Sequence, residues 1–88
     1  MFLIRENAMK ILADVYQRCD SNFNLRSFNS DKYIKEMGDD NFIKSIQYLW
    51  KSNCIEKPTS TIPTSITITT NGIDKLEDYI IEHTPEQE

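Results

Sequence analysis

Residues 39–56 read DDNFIKSIQYLWKSNCIE, and no other stretch restricts the fold as tightly. Phe42, Ile46, Leu49 and Trp50 recur at helical spacing and define one apolar face. Asp39, Asp40 and Asn41 open the segment, and their side chains suit a helix start because they accept bonds from its free N–H groups. Asn53 tolerates the left-handed conformation that closes a helix, and Ile55 begins an extended segment. The face opposite the apolar one carries Lys44, Gln47, Tyr48 and Lys51, with Asn41 beside them. Such a helix buries one side, shows water a strip of donors with one aromatic ring, and passes directly into a strand. An ordinary amphipathic helix with a solvated polar face accounts for the same residues, so the neighbouring segments decide how the strip is read.

Upstream, Ile4, Ala8, Ile11, Leu12, Val15, Tyr16 and Cys19 fall on one side of a helix over 5–19, and Glu6, Lys10, Asp14 and Gln17 on the other. Asp20-Ser21-Asn22 is turn chemistry. Phe23-Asn24-Leu25-Arg26 alternates as a very short strand. Ser30-Asp31 caps a second helix over 32–37, and Gly38 stops it. Two helices joined by so short a turn with glycine form a helix-turn-helix pattern. Downstream, Ile55-Glu56-Lys57 and Ile66-Thr67-Ile68-Thr69 read as a two-stranded ribbon, its long tip marked by Pro58, Pro63 and many Ser and Thr residues. A last helix over 73–82 points Ile73, Leu76 and Ile80 inward, and Thr84-Pro85 ends it.

Eighty-eight residues make a single domain, here 1–83, followed by a frayed acidic tail over 84–88. The net charge of −4 is unevenly spread: residues 1–57 carry a balance of +1 and residues 58–88 a balance of −5. The acid therefore gathers in the last helix and tail, away from Lys44 and Lys51, which keeps nucleic acid open as a partner without demanding it. Cys19 and Cys54 form no short motif, Met1-Phe2-Leu3-Ile4 is too brief for a signal segment, and no stretch is long enough to cross a bilayer. The expected setting is cytoplasmic, with reduced thiols and no membrane.

No catalytic constellation stands out. The one histidine, His83, lies beside the tail, the two glycines form no phosphate loop, and one His with two distant Cys fits no metal spacing. The chain is expected to be no enzyme, to hold no metal and to need no cofactor.

The order helix, short strand, helix, helix, strand, wing, strand, helix resembles the winged helix-turn-helix superfamily, an α+β fold, over nearly the whole chain. LWKSNCI at 49–55 resembles the family's Leu, a few polar residues, then Gly-Leu-Ile; ITITTNGIDKL at 66–76 resembles its I-T-x-x-G-x-x-x-L stretch. The small bacterial proteins of the YjcQ type have a similar length and layout. Two departures stand out: Asn53-Cys54 replaces the usual glycine, and nothing between Pro58 and Asp74 is basic where such wings commonly carry Arg or Lys.

The resemblance implies a small DNA-binding transcriptional regulator of a bacterium, phage or plasmid. Lys44, Gln47, Tyr48 and Lys51, with Asn41, would face the major groove of double-stranded DNA, and Arg26, Lys32 and Lys35 would meet phosphates. The competing expectation is a protein-interaction winged helix, an adaptor or an inhibitor of a nucleic-acid enzyme, which the uncharged wing favours. Surplus apolar residues at both ends, Phe2 and Leu3 with Tyr79 and Ile81, point to a homodimer interface.

Overall fold

The computed structural model describes residues 3–83. Four helices and a two-stranded antiparallel sheet follow one another in the order α-β-α-α-β-α, an α+β arrangement. Phe2 and the 84–88 tail lie outside the described residues.

Helix α1, Ile4–Arg18, buries Ala8, Ile11, Leu12 and Val15, and packs most extensively on α3. Burial of aliphatic side chains of this size contributes about 1.5–3 kcal/mol each. Two of its residues depart from the periodic reading. Tyr16 is 39% exposed and donates to Glu77 at 3.5 Å. Asp14 is half-buried rather than solvated, because it accepts a 2.7 Å bond from the Tyr33 hydroxyl and is paired with Arg18 at 3.0 Å.

After α1 the Asp20 carboxylate accepts bonds from the amides of Asn24 and Asn22, which hold its pKa below the usual value. Phe23 is not a strand residue. It sits at φ 65 with 41% of its surface exposed, and strand β1 is only Asn24–Leu25. Phe28, which the alternation did not single out, is buried and stacks on Tyr33 at 5.5 Å and on Phe42 at 6.3 Å.

Helix α2, Ser30–Met37, is capped by Asn29, whose side chain accepts from the Lys32 amide at 3.3 Å. Ser30 was the expected cap, but its hydroxyl donates instead to the Pro63 carbonyl at 2.5 Å. Gly38, at φ 88, makes the turn into α3, Asp39–Lys51. Neither Asp39 nor Asp40 caps with its side chain; both occupy the first turn, where the helix dipole favours an anion.

Phe42, Ser45, Ile46 and Leu49 are the inward residues of α3. Trp50, read from sequence as part of that face, is only half-buried, because Leu49 takes the central position and leaves the indole on the flank. The helix ends with the Asn53 amide on the Trp50 carbonyl, the Cys54 amide on the Leu49 carbonyl, and Asn53 left-handed at φ 63, as its residue type suggests.

The expected ribbon is reduced. Strand β2, Ile66–Thr67, pairs in register with β1, Asn24 opposite Thr67 and Leu25 opposite Ile66. Ile55 contributes a single antiparallel bridge to Ile68, supported by the Glu56 amide on the Thr67 carbonyl. The intervening loop is fastened to the body at its downstream end, while residues 59–62 are exposed. Pro63 is buried, its carbonyl takes the Ser30 hydroxyl, and the Thr64 carbonyl accepts the Phe28 amide at 2.7 Å.

Helix α4, Thr70–His83, starts three residues earlier than its apolar spacing indicates. The Thr69 hydroxyl accepts from the Gly72 amide at 3.0 Å, placing Gly72 inside the first turn. A Cβ on Gly72 would lie 2.1 Å from the Cys54 carbonyl oxygen, so the helix reaches the end of α3 only with glycine here. Asn71 completes the joint by donating to the Ser52 carbonyl at 2.9 Å. Leu76 is buried and Ile73 half-buried, but Ile80, expected to point inward, is 47% exposed.

Candidate nucleic-acid interface

Because α3 buries the side that carries Phe42, Ser45, Ile46 and Leu49, its opposite side faces solvent. Lys44, Tyr48 and Lys51 are exposed there, with Gln47 half-exposed on the same side. Asn41 is spoken for: its side-chain amide donates to the Met37 carbonyl at 2.8 Å and ties the start of α3 to the end of α2. The remaining members of the expected set sit on other elements. Arg26 follows β1, and Lys32 and Lys35 lie on α2; all three are exposed, and none is hydrogen-bonded or ion-paired to the α3 strip. Lys32 holds its ammonium 5.3 Å from the Tyr33 ring centre.

The two flanks of the strip differ. On one, Tyr48 borders a groove of about 340 Å³ shared with Arg5 and Met9 of α1 and Lys75, Asp78 and Glu82 of α4. Arg5 crosses it to Glu82 at 3.5 Å. On the other, the Trp50 ring carries two ammonium groups, Lys51 at 4.5 Å and Lys57 at 5.6 Å from its centre. Sequence spacing alone does not bring Trp50 and Lys57 together. The adjacency arises only once the Ile55–Ile68 bridge directs the chain after α3, and its one local signal is a second lysine close after the tryptophan.

Charge pairing separates the elements further. Arg5, Lys10 and Arg18 of α1 each pair with a carboxylate. Among the described residues, Arg26, Lys32, Lys35, Lys44, Lys51, Lys57 and Lys75 make no ion pair. The arrangement therefore offers cations to an outside anion along α3 and the chain that follows it, and also on α2, on α4 and after β1.

No three His, Cys, Asp or Glu side chains among the described residues are grouped to hold a metal ion. Cys54 is fully buried, and burial pushes its thiol pKa up; Cys19 is half-buried, and both are free thiols. No described helix is long and apolar enough to cross a membrane.

At the chain ends, Leu3 is 52% and Ile81 73% exposed, and Tyr79 is half-buried with the Arg5 guanidinium 5.4 Å from its ring centre. The Arg5–Glu82 pair holds these two helix ends side by side. No known protein family, curated protein or solved structure matches this chain.

Proposed function

We propose that the chain is a small winged helix-turn-helix regulator of transcription that lays α3 in the major groove of double-stranded DNA. The observation that carries the reading is the exposed side of α3, where Lys44 and Lys51 stand beside Gln47 and Tyr48 without carboxylate partners, with Lys57 just beyond. The order of extended segments also favours it: β2 pairs with β1, and the residue after β2 bridges to Ile55, so the chain leaving α3 joins the sheet on the far side from β1. Lys44 and Lys51 meet phosphates or base edges, while Gln47 and Tyr48 supply hydrogen-bonding side chains to the groove. Arg26, Lys32 and Lys35 are the secondary phosphate contacts.

Sequence-independent affinity in the range of about 10⁻⁴–10⁻⁶ M at physiological salt is expected from the lysines alone. Fluorescence anisotropy with labelled duplexes at increasing salt is the test. Binding that weakens steeply with salt is the expected result; no binding to any duplex at low salt would remove the reading.

One observation favours the second reading, a protein-binding module. The 58–65 loop contains no basic residue and is tied to Phe28 and Ser30, so it does not reach out as a charged wing. Capture of a protein partner by a chain that binds no duplex would establish it. We propose a homodimer contact at the adjoining ends of α1 and α4, where Leu3 and Ile81 are exposed and Arg5 meets Tyr79 and Glu82.

A further inference from the structure

The groove between α1, α3 and α4 enters the nucleic-acid reading only through its border with Tyr48. It encloses about 340 Å³, toward the lower end of the range of about 300–1,000 Å³ typical of small-molecule sites. Its α4 wall is a single row, because Lys75, Asp78 and Glu82 are spaced three and four residues apart and share one helix face. Arg5 and Met9, four apart on α1, form the facing wall. Met9 is only 4% exposed and gives the groove an apolar floor, while the Tyr48 ring, 37% exposed, borders it from α3. Two cations and two carboxylates thus line one small space, and their charges cancel. Leu3 and Ile81, the exposed residues of the proposed dimer contact, do not line it.

The four charges are not equally engaged. Arg5 meets Glu82 at 3.5 Å, an exposed pair of the kind that adds little stability. Among the described residues, neither Lys75 nor Asp78 makes an ion pair, with each other or with any other group, although their spacing puts them on neighbouring turns of one face. The Ser52 amide and hydroxyl both donate to the Tyr48 carbonyl, and the Tyr48 hydroxyl has no partner among the described residues. The groove therefore presents one open charge of each sign beside an open hydroxyl.

We infer that this groove binds a free α-amino acid with an apolar side chain. Lys75 takes the carboxylate, Asp78 takes the ammonium, and the side chain lies against Met9 and the Tyr48 ring. The balance of charge selects this class. A phosphate or other simple anion meets Asp78 and Glu82 as well as the cations. A diamine meets Arg5 and Lys75. An uncharged apolar molecule desolvates all four charges and pairs with none. A ligand carrying both charges side by side answers Lys75 and Asp78 together through charge-assisted hydrogen bonds. Tyr48 belongs both to this groove and to the exposed strip of α3, so occupancy alters a side chain that α3 offers to DNA. The site stands apart from the nucleic-acid reading, and only this coupling rests on it.

Amide chemical shifts of the full, nitrogen-labelled chain are followed during titration with L-leucine and L-phenylalanine. Leucinamide, which lacks the carboxylate, and isocaproate, which lacks the ammonium, are the comparisons. Saturable shifts at Arg5, Met9, Tyr48 and residues 75–82 are expected with the amino acids, and binding at least about tenfold weaker with either analogue. Lys75→Gln and Asp78→Asn should each weaken amino-acid binding about tenfold while leaving the helical circular dichroism unchanged, and Lys75→Arg should retain most of it. No saturable shift with either amino acid, or shifts that survive both substitutions, would overturn the site. An equal response to leucinamide or isocaproate would overturn the zwitterion assignment. Fluorescence anisotropy of a labelled duplex, with and without saturating amino acid, reads the coupling: a change in duplex affinity of about fivefold or more is expected, absent in Asp78→Asn, and duplex should change amino-acid affinity by the same factor. Unchanged duplex affinity with the groove occupied removes the coupling and keeps the site. Amino-acid shifts in a chain that binds no duplex keep the site and remove the α3 reading; duplex binding without those shifts does the reverse.

Discussion

Gly72 occupies a helix, where replacement by alanine ordinarily stabilises by about 1 kcal/mol. Here the sign reverses, because the new methyl would meet the Cys54 carbonyl at 2.1 Å. Gly72→Ala is expected to lower stability by about 1–3 kcal/mol, measured as a fall in the urea midpoint, since backbone rather than a flexible side chain must give way. Tyr33 makes a second residue-scale prediction. Burial and its bond to Asp14 raise its pKa well above the ordinary tyrosine value. The proton is therefore held more tightly in the folded chain, so this contribution is complete below about pH 10 and is lost as pH rises beyond it. Tyr33→Phe should flatten that alkaline decline and cost about 1 kcal/mol at neutral pH. Neither effect is visible in sequence. Nothing local to Thr69-Thr70-Asn71-Gly72 shows why glycine is needed; the need comes from a carbonyl eighteen residues away.

At the scale of elements, α3 separates into a buried side and a cationic side, and this division makes its role testable without unfolding it. Lys44→Glu with Lys51→Glu should abolish duplex binding while leaving the far-ultraviolet circular dichroism unchanged, each lost phosphate contact lowering the salt slope by about one. Unchanged affinity in the double variant would transfer the interface elsewhere. The helices themselves are legible because apolar spacing survives in any environment: all four appear, with ends displaced by at most three residues. Their caps were less so, since Ser30 and Asn29 are both good caps locally and the choice is made by the Pro63 carbonyl. Trp50 sits at the margin of the apolar arc, where a wheel cannot distinguish a core side chain from a flank. The pairing of β1 with β2 was hidden for a similar reason. Two-residue strands carry almost no alternation, and the local pattern points to Ile55-Glu56-Lys57 as the partner instead. Of the candidate site, Lys44, Gln47, Tyr48 and Lys51 could be read from helical geometry, whereas Lys57 required the tertiary fold.

For the whole molecule, the proposed association runs through the α1 and α4 ends. Sedimentation at micromolar concentration should give a species of about twice the 10.3 kDa chain mass. Leu3→Glu with Ile81→Glu should return it to monomer by placing like charges on both sides of the contact. A wild-type monomer would exclude the dimer, and a dimer that survives both substitutions would exclude this surface. The fastening of the 58–65 loop to Phe28 and Ser30 has a consequence for the order in which the molecule is made. During synthesis the first half of the chain leaves the ribosome with β1 unpaired and Ser30 lacking its carbonyl partner, because both partners lie more than thirty residues downstream. Such distant closures must be completed before their contacts repay the entropy of bringing the chain ends together. Helices α1 to α3 thus emerge as an unfinished body, and the nascent chain locks only when residues 63–68 have cleared the exit tunnel and returned to it.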